Sequence, residues 1–402
     1  MDKYQWMKSA LEEKKATHLF RQLREVDLIE FPYYQVDGQK QIMLSSNDYL
    51  NFSHHEQIKQ FAKTIIDRFP TGSSGARLIT GTSSLHTALE KALARFKKTE
   101  AALIFNTGYM ANVGVLQGIC DNDMVIFSDA LNHASIVDGC RLTRAEVIIY
   151  SHNDMIDLER KIKERRPAKG LIVTDSVFSM DGDIADLPAI MRLGEEYQLL
   201  TMIDEAHATG VIGPTGQGAC EHFALAVKPD IIVGTMSKAL GCEGGFVCGS
   251  QLLIDYLMNY SRSFIFSTAL SPLTIACALE ALTILSAHPE LVNTLQANVR
   301  CFCRYLKEHG VVADSQSAIV PILIGDAERT LQVVQKLHDQ GIFVSGIRYP
   351  TVAKGRAMLR CTLSCNHQKS DLYFAAQQIA QCITNTLPPK DKKTLERISS
   401  LI

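Results

Sequence analysis

Residues 199–207 have the sequence LLTMIDEAH, in which an apolar run ends at Asp204 and His207 follows three residues later. A second apolar run, residues 231–233, leads into the polar sequence GTMSK, which ends at Lys238. Short apolar runs of this kind are typical of buried parallel strands. Because open α/β sheets bind ligands at the carboxyl ends of their strands, both polar clusters are predicted to lie at a ligand-binding edge.

An acid and a lysine at one sheet edge suit the chemistry of pyridoxal phosphate. The aldehyde of this cofactor needs an amine to form a Schiff base, and its ring nitrogen needs a carboxylate that keeps it protonated. Taken singly, an acid at a strand end can cap the next helix, and a lysine in a turn is usually a solvated surface charge. The combination of Asp204 and Lys238 favours the cofactor.

Bulk properties exclude several classes of protein. The chain has 402 residues, of which 46% are hydrophobic, enough for two or three domains. A formal net charge of −2 argues against nucleic-acid binding. The eleven cysteines include no CxxC pair, the N-terminus lacks an apolar signal core, and no stretch is long enough to span a membrane. We therefore expect a cytoplasmic protein that binds neither nucleic acid nor membrane.

Strands and helices alternate along the middle of the chain. Strands are predicted at residues 101–105, 124–128, 147–150, 170–175, 199–204, 231–233 and 246–248. This alternation predicts an α/β fold, with a large domain whose mostly parallel sheet is flanked by helices, plus a smaller α+β C-terminal domain. We divide the chain into an N-terminal helix and extension (1–50), a large cofactor-binding domain (51–288) and a small domain (289–402). The charged tail after Leu387 is predicted to be loosely ordered.

Further polar residues follow the predicted strands at positions suited to a phosphate. Gly108 and Tyr109 open a helix, and the backbone N–H groups of a helix N-terminus bind phosphate well. The hydroxyls of Thr235 and Ser237 flank Lys238 and suit the same group. The GxxxxGK[ST] and GxGxxG patterns of nucleotide-binding loops are absent from the sequence.

Two other residues suit the ring of the cofactor, although each also has a plain structural interpretation. His133 could stack on a planar ring, but it could equally cap a helix or pack in the core. Ser179 could donate a hydrogen bond to a phenolic oxygen, but serines are common in loops. His207 could reach the same oxygen. Asp204 and His207 could also bind a metal ion, but no third ligand with suitable spacing is evident, so no metal site is expected.

Arg360 lies in an apolar segment, residues 358–362, that reads as a strand of the small domain. An arginine in such a strand needs a carboxylate partner. That partner is either an acid of the protein or, in the functional interpretation, the carboxylate of an amino-acid substrate held by both arms of the guanidinium.

Several motifs spread over nearly the whole chain resemble one family. They are residues 46–50 (SNDYL), 75–81 (GARLITG), 133–135 (HAS), 178–182 (FSMDG), 204–210 (DEAHATG) and 235–241 (TMSKALG). Together they resemble the α-oxoamine synthases, which are fold-type I, aminotransferase-like pyridoxal-phosphate enzymes. These enzymes join an amino acid to an acyl thioester with loss of carbon dioxide. The resemblance therefore implies a pyridoxal-phosphate-dependent acyltransferase.

The resemblance also implies a role for each candidate residue. Lys238, His133, Asp204 and His207 are expected to be catalytic. The cofactor is expected to contact Gly108, Tyr109 and Thr235 at its phosphate, His133 at its ring face, Ser179 and His207 at its phenolic oxygen, Asp204 at its ring nitrogen and Lys238 at its aldehyde. The expected substrate contacts are Arg21, Asn47, Thr351 and Arg360, with Arg360 at the amino-acid carboxylate.

Within the family, the segments around Arg21 and residues 348–352 most resemble the member that condenses L-alanine with pimeloyl-CoA or a pimeloyl carrier protein. Members that use glycine with acetyl-CoA, glycine with succinyl-CoA, or serine with a palmitoyl thioester share the same motifs and are the alternatives. A non-catalytic pyridoxal-phosphate sensor is an alternative of a different class. The resemblance further implies a homodimer in which Asn47 approaches the active site of the partner chain.

Overall fold

The computed structural model describes residues 2–386, and the tail after Leu387 lies outside them. The chain forms two compact units. The large unit comprises Asn47–Ala297 and Gln316–Ala318. The small unit comprises the residues up to Ser46, Asn298–Ser315 and the residues from Ile319 onward. The N-terminal segment is thus grouped with the C-terminal one, and the sequence-based division at residues 50 and 288 stays a prediction.

The N-terminal part of the small unit consists of one helix and an antiparallel ribbon. Helix α1 (Gln5–Ala16) has exposed residues throughout. Strands β1 (Val26–Glu30), β2 (Tyr33–Val36) and β3 (Gln39–Met43) pair in sequence order. Their buried side chains form a small cluster of Tyr34, Val36 and Met43. Among the three strands of this ribbon, only β3 is indicated in the sequence by consecutive apolar residues.

The large unit alternates strands and helices as the sequence predicts. Its elements, in order, are α2 (Glu56–Ile66), α3 (Ser84–Lys97), β4 (Ala101–Phe105), α4 (Gly108–Ile119), β5 (Val125–Asp129), α5 (Ala134–Leu142), β6 (Glu146–Tyr150), α6 (Met155–Arg165), β7 (Gly170–Asp175), α7 (Leu187–Glu196), β8 (Leu200–Asp204), α8 (Ala219–His222), β9 (Ile231–Thr235), β10 (Gly245–Gly249), α9 (Gln251–Tyr260), α10 (Arg262–Ile265) and α11 (Pro272–Ala287). Short helical turns lie at Phe52–His54 and Arg77–Gly81.

Within the described residues, the large unit has a seven-stranded sheet in the order β4-β10-β9-β8-β7-β5-β6. The strands from β9 to β6 are mutually parallel, and β10 runs antiparallel to both of its neighbours. Buried side chains such as Ile126, Val173 and Met202 pack with α4 and α5 residues in the core. The predicted fold class, a mostly parallel sheet flanked by helices, is confirmed.

Parallel pairing brings the polar strand ends to one edge of this sheet. Asp204 is the last residue of β8, and it lies beside Asp175 at the end of β7 and Val233 near the end of β9. Strand β9 ends at Thr235, and β5 ends at Asp129. The carboxyl edge therefore collects the residues that the sequence proposed as a ligand site.

The C-terminal elements begin with α12 (Glu290–Glu308), of which the residues from Asn298 onward belong to the small unit. They continue with β11 (Ile319–Gly325), α13 (Ala327–Asp339), β12 (Ile342–Phe343), β13 (Ser345–Ile347), β14 (Ala357–Thr362) and α14 (Lys369–Asn385). Strands β11, β14 and β13 form an antiparallel sheet in that order. Strand β12 instead pairs in parallel with β3. This pairing explains why the N-terminal ribbon belongs to the small unit.

The described residues, 2–386, contain no single helix that is long and apolar enough to cross a membrane. Helices α11 and α12 meet the length and composition criteria only when they are counted together, and the chain bends by 80° between them.

Candidate active site

Asp204 is buried at the end of β8, where two donors fix its carboxylate. The side-chain amide of Asn112 donates to Oδ2 at 2.6 Å, and the backbone N–H of Ala206 donates to Oδ1 at 2.7 Å. Asn112 lies on α4, one helical turn after Gly108, and is itself buried. A buried carboxylate needs such partners, because an unpaired charge inside a protein is strongly unfavourable.

A chain of hydrogen bonds connects Asp204 with His133. Asn112 Nδ2 also donates to Ser135 Oγ at 2.9 Å, and Ser135 Oγ lies 2.7 Å from His133 Nδ1. The backbone N–H of His133 donates to Asp175 Oδ2 at 2.7 Å. His133 is the N-cap residue of α5, as its plain interpretation proposed, and yet the residue as a whole is exposed. It is thus anchored through Nδ1 and the backbone while remaining accessible.

Lys238 lies three residues after the end of β9, the strand that pairs with β8, and its charge acts on these groups. Desolvation lowers the pKa of His133; the negative charge of Asp204 opposes this shift and the positive charge of Lys238 reinforces it. Complete burial, reinforced by the charge of Asp204, raises the pKa of Asp175 well above its ordinary value, and Lys238 opposes that shift. The structure therefore brings Lys238, Asp204 and His133 together at the carboxyl edge, as the sequence predicts.

The N-terminus of α4 lies beside the turn that precedes Lys238. A Cβ atom added to Gly108 would lie 3.2 Å from Thr235 Cβ, and one added to Gly245 would lie only 2.4 Å from the carbonyl oxygen of Thr107. Thr235 Oγ1 donates to the Gly244 carbonyl at 2.8 Å and lies 2.7 Å from Ser237 Oγ. Backbone N–H groups and hydroxyls thus converge in a way that suits a phosphate.

His207 is buried and shares a hydrogen bond of 2.7 Å between Nδ1 and Tyr49 Oη. Tyr49 Oη also donates to Asn47 Oδ1 at 3.2 Å, so that Asn47 lies near His207 of its own chain. A buried ion pair between Lys97 and Glu205 anchors the turn between Asp204 and His207. Lys97 Nζ also donates to Thr209 Oγ1 at 2.7 Å, which secures the far end of that turn.

The remaining candidates occupy different places. Ser179 lies in a turn that follows β7 at the carboxyl edge. Tyr109 is exposed, and its hydroxyl donates to Asp138 Oδ2 at 2.7 Å. Arg21, Thr351 and Arg360 belong to the small unit, where Arg21 and Thr351 are exposed and Arg360 is buried on β14. The roles of all these residues stay predictions.

Three residues of the site were missed by sequence reasoning: Asn112, Asp175 and Tyr49. Asn112 had a usable signal, because it is one of the few polar residues in the mostly apolar α4 and lies four positions after Gly108. Asp175 ends a buried strand in the same way as Asp204 and could have been found by that pattern. Tyr49 has no such signal, because its partner His207 lies 158 residues away.

The donor set fits pyridoxal phosphate. The site offers an amine at Lys238, a carboxylate at Asp204 that is held in place by two donors, an accessible imidazole at His133, and a helix N-terminus flanked by hydroxyls. These groups match, respectively, an aldehyde, a ring nitrogen, a ring face and a phosphate.

Comparison with known proteins settles the family. Residues 39–379 match the family described as aminotransferase class I and II. The chain belongs to this family. Within it, the α-oxoamine synthase membership predicted from the motifs is confirmed by relatives that bear the name of one member of that group.

Two such relatives match this chain over nearly its full length. The 8-amino-7-oxononanoate synthase 2 of Bacillus subtilis is 45% identical over 369 residues, which cover 91% of this chain and 94% of the relative. The 8-amino-7-oxononanoate synthase of Geobacter sulfurreducens is 44% identical over 376 residues, which cover 92% and 96%.

Several solved structures have the same fold as this chain. The serine palmitoyltransferase of Sphingomonas wittichii superposes with a TM-score of 0.90 at 29% identity, covering 96% of this chain and 98% of that one. An SPT structure with PLP as an internal aldimine gives a TM-score of 0.90 at 28% identity, with the same coverage. The 8-amino-7-oxononanoate synthase of Francisella tularensis gives 0.73 at 28% identity, covering 85% and 97%.

Proposed function

We propose that this chain is a pyridoxal-phosphate-dependent C-acyltransferase that condenses L-alanine with a pimeloyl thioester. The products are 8-amino-7-oxononanoate, carbon dioxide and the free thiol, and the reaction belongs to biotin biosynthesis. The relatives at 44–45% identity support this reaction through their name. The structural observation that carries the proposal is the hydrogen-bonded connection from Asp204, at the end of β8, through Asn112 and Ser135 to His133. Lys238 follows three residues after the end of the neighbouring strand β9.

When bound, pyridoxal phosphate supplies a ring that withdraws electrons from the substrate α-carbon. Asp204, fixed by Asn112, keeps the ring nitrogen protonated. The amine of Lys238 would hold the aldehyde of the cofactor, and the free amine would accept the proton from the substrate α-carbon. His133 would hold the face of the ring and donate a proton to the carbonyl oxygen of the thioester.

The other side chains orient the cofactor and substrates. His207 and Ser179 hydrogen-bond the phenolic oxygen, with Tyr49 fixing the ring of His207. Thr235, Gly108 and Tyr109 bind the phosphate.

For the substrates we propose Arg360 at the alanine carboxylate, because a guanidinium binds a carboxylate through two parallel hydrogen bonds. Arg21, Asn47 and Thr351 are proposed contacts of the acyl substrate. In the small unit, Arg21 is close enough to lower the pKa of Arg348, after desolvation, which is the larger cause. Two neighbouring guanidinium groups favour an anionic substrate.

We also propose a homodimer. The large unit exposes apolar side chains that lie close together, because Ala76 and Thr268 form an isolated β-bridge that joins their two segments. The exposed fractions are 54% for Leu78, 80% for Ile79 and 71% for Phe266. Exposed apolar patches of this kind are commonly covered by a second subunit.

A cytoplasmic location completes the proposal. All eleven cysteines lie within the described residues and are free thiols. Reduced cysteines in this number are typical of the cytosol, because oxidising compartments favour disulfides.

Serine palmitoyltransferase activity is the second candidate, because a structure of that enzyme superposes with the higher TM-score, 0.90 against 0.73. Sequence identity favours condensation of alanine with a pimeloyl thioester, because the chain is 44–45% identical to the 8-amino-7-oxononanoate synthases and 29% identical to the serine palmitoyltransferase.

Release of free thiol by the purified protein tests both candidates. Alanine, glycine and serine are each combined with acetyl-, succinyl-, pimeloyl- and palmitoyl-CoA. We expect alanine with pimeloyl-CoA to give the highest kcat/KM. A preference for serine with palmitoyl-CoA, or for glycine with either short acyl-CoA, would overturn the assignment. Binding of the cofactor with no thiol release from any pair would indicate a sensor.

A further inference from the structure

His152 lies between two carboxylates at the carboxyl edge of the large unit. It follows β6 and is partly buried, with 27% of its side chain exposed. Its Nδ1 lies 3.0 Å from Asp129 Oδ1, and its Nε2 lies 3.0 Å from Asp183 Oδ2. Because both ring nitrogens face a carboxylate, the imidazole can satisfy both only by carrying two protons and a positive charge.

The Asp129 side of this bridge leads to His133. Asp129 ends β5 and is almost completely buried. Its Oδ1 also accepts from the backbone N–H of Leu131 at 2.8 Å, and its carbonyl accepts from Asn132 at 3.2 Å. These bonds shape the short turn that ends at His133.

The Asp183 side leads to Ser179. Residues 178–183 form a tight turn, which we call the Ser179 turn. The N–H of Phe178 donates to the Asp183 carbonyl at 3.0 Å, and the N–H of Gly182 donates to the Phe178 carbonyl at 2.9 Å. An isolated β-bridge between Val177 and Ile184 closes its base. Ser179 therefore lies in a turn whose position depends on the residues that contact Phe178 and Asp183.

His152 and Asn153 contact the Ser179 turn and the residues that follow it through an aromatic contact and two hydrogen bonds. The rings of His152 and Phe178 meet edge to face with centroids 4.4 Å apart. Asn153 adds two hydrogen bonds, from Nδ2 to the Ile184 carbonyl at 3.2 Å and from the Asp186 N–H to Oδ1 at 2.9 Å. Among the described residues, Asp183 Oδ1 is buried without a hydrogen-bond partner. The charge of Asp183 is therefore compensated chiefly through Oδ2 and His152.

We propose that His152, as an imidazolium held between Asp129 and Asp183, is a positioning residue of the active site that fixes the Ser179 turn against the turn carrying His133. The proposal rests on the function proposed above in one respect, namely that Ser179 and His133 contact pyridoxal phosphate. In this proposal, His152 acts only through the two turns and not by contact with the cofactor or the substrates.

The electrostatics of His152 agree with this role. The hydrogen bonds that His152 donates to Asp129 and to Asp183, in that order of importance, raise the pKa of His152 to about 10. Because the folded-state pKa exceeds the ordinary value of 6.5, the contribution of the charged form is fully present below pH 6.5 and is lost as the pH rises through about 10. The bridge therefore stays charged at neutral pH.

Two variants test the bridge from opposite ends. His152→Gln removes the positive charge, and Asp183→Asn removes the charge on the Ser179 turn while leaving Asp129 paired with His152. Asp183 is the more exposed of the two acids, so that this second variant keeps the test valid if His152→Gln fails to fold. The matched control is His288→Gln, because His288 pairs with Glu290 at 2.9 Å on an exposed turn outside the site.

The readout is hydrogen exchange of the full-length protein with pyridoxal phosphate bound, followed by mass spectrometry of peptides that span residues 176–186. We expect exchange in these peptides to be about tenfold faster in both variants, while peptides from β7 and β8 and the His288→Gln control are unchanged. The cofactor dissociation constant should rise by about tenfold, and the double variant should be no worse than the stronger single variant.

Unchanged exchange in the Ser179 turn would overturn the proposal, and so would an equal increase across the whole sheet, which would mark His152 as a general structural residue. Neither measurement uses an acyl thioester. Failure of the proposed function would instead appear as an absence of thiol release by the unsubstituted protein, so that the two failures are distinguishable.

Discussion

The side-chain amide of Asn112 lies 2.6 Å from Asp204 Oδ2 and 2.9 Å from Ser135 Oγ, and so links the carboxylate of β8 to the hydrogen bonds that anchor His133. One residue thereby fixes the orientation of two groups that are proposed to contact opposite parts of the same ring. Because Asn112 lies on α4, whose N-terminus is proposed to bind the phosphate, this helix connects three parts of the site.

Replacement of Asn112 should therefore weaken catalysis without changing the fold. In Asn112→Leu, Asp204 loses a charge-assisted hydrogen bond, and such bonds contribute about 1.5–3 kcal/mol. We expect kcat/KM to fall by about 10- to 100-fold and the visible absorption of the bound cofactor to shift. Steady-state kinetics and absorption spectra test this. Asn259→Leu, on the surface of α9, is the control. Unaltered kinetics in Asn112→Leu would mean that Asp204 needs no such support.

Removal of the Tyr49 hydroxyl should affect His207. Tyr49 is completely buried, and Tyr49→Phe keeps the volume of the ring while deleting the hydrogen bond to His207 Nδ1. We expect kcat to fall by about fivefold, since a net hydrogen bond contributes about 1 kcal/mol. Steady-state kinetics measure kcat, with Tyr260→Phe on the surface as the control. A kcat equal to that of the control would argue against a role for this bond.

The Lys97–Glu205 pair should matter for stability. Both side chains are almost fully buried, and Glu205 also accepts from the backbone N–H of Ala219 at 2.8 Å. Lys97→Met leaves a buried carboxylate without its cation, which typically costs about 3–5 kcal/mol. Urea denaturation should detect this loss. Adding Glu205→Gln should restore part of the stability, because the unpaired charge is removed. If the double variant is less stable than Lys97→Met, the effect is not one of charge burial.

Acid should destabilise the small unit through His367. Its Nδ1 accepts from the Ser364 N–H at 2.9 Å, its Nε2 lies 3.0 Å from the Met43 carbonyl, and complete burial lowers its pKa to about 4. Because the folded-state pKa lies below the ordinary 6.5, the unfolded chain binds more protons between these values. The contribution of His367 is therefore fully present above pH 6.5 and declines, by roughly 3 kcal/mol, as the pH falls to 4.

The measurement is the free energy of unfolding of the wild type and of His367→Gln at intervals from pH 7 to pH 4. We expect the difference between the two to shrink as the pH falls, because only the wild type has a histidine that must stay neutral. A difference that is constant over this range would contradict the shifted pKa.

The sequence predicted the sheet of the large unit well for a physical reason. Parallel strands covered by helices on both faces are continuous apolar runs, as in β7, where all six residues are buried. The polar residue that ends such a run, as Asp204 does, must then lie at the edge of the sheet. The convergence of Asp204 and Lys238 was predictable because parallel pairing places equivalent strand ends side by side.

The small unit was less predictable. The neighbouring segments Ile342–Phe343 and Ser345–Ile347 belong to different sheets: the first is β12, which pairs with β3, and the second is β13, which pairs with β14. Which strand a segment pairs with depends on tertiary packing, and the local sequence carries no pattern that indicates it. The same limit explains why Tyr49 was missed, and why the two partners of His152, which are 23 and 31 residues away, could not be paired from the sequence.

Borohydride reduction of the protein with pyridoxal phosphate, followed by peptide mass spectrometry, tests the central claim most directly. We expect the reduced cofactor to be attached to Lys238 and to no other lysine. We also expect Lys238→Ala to keep the fold but to take up no label and release no thiol. Attachment to a different lysine, or normal turnover by Lys238→Ala, would contradict this claim.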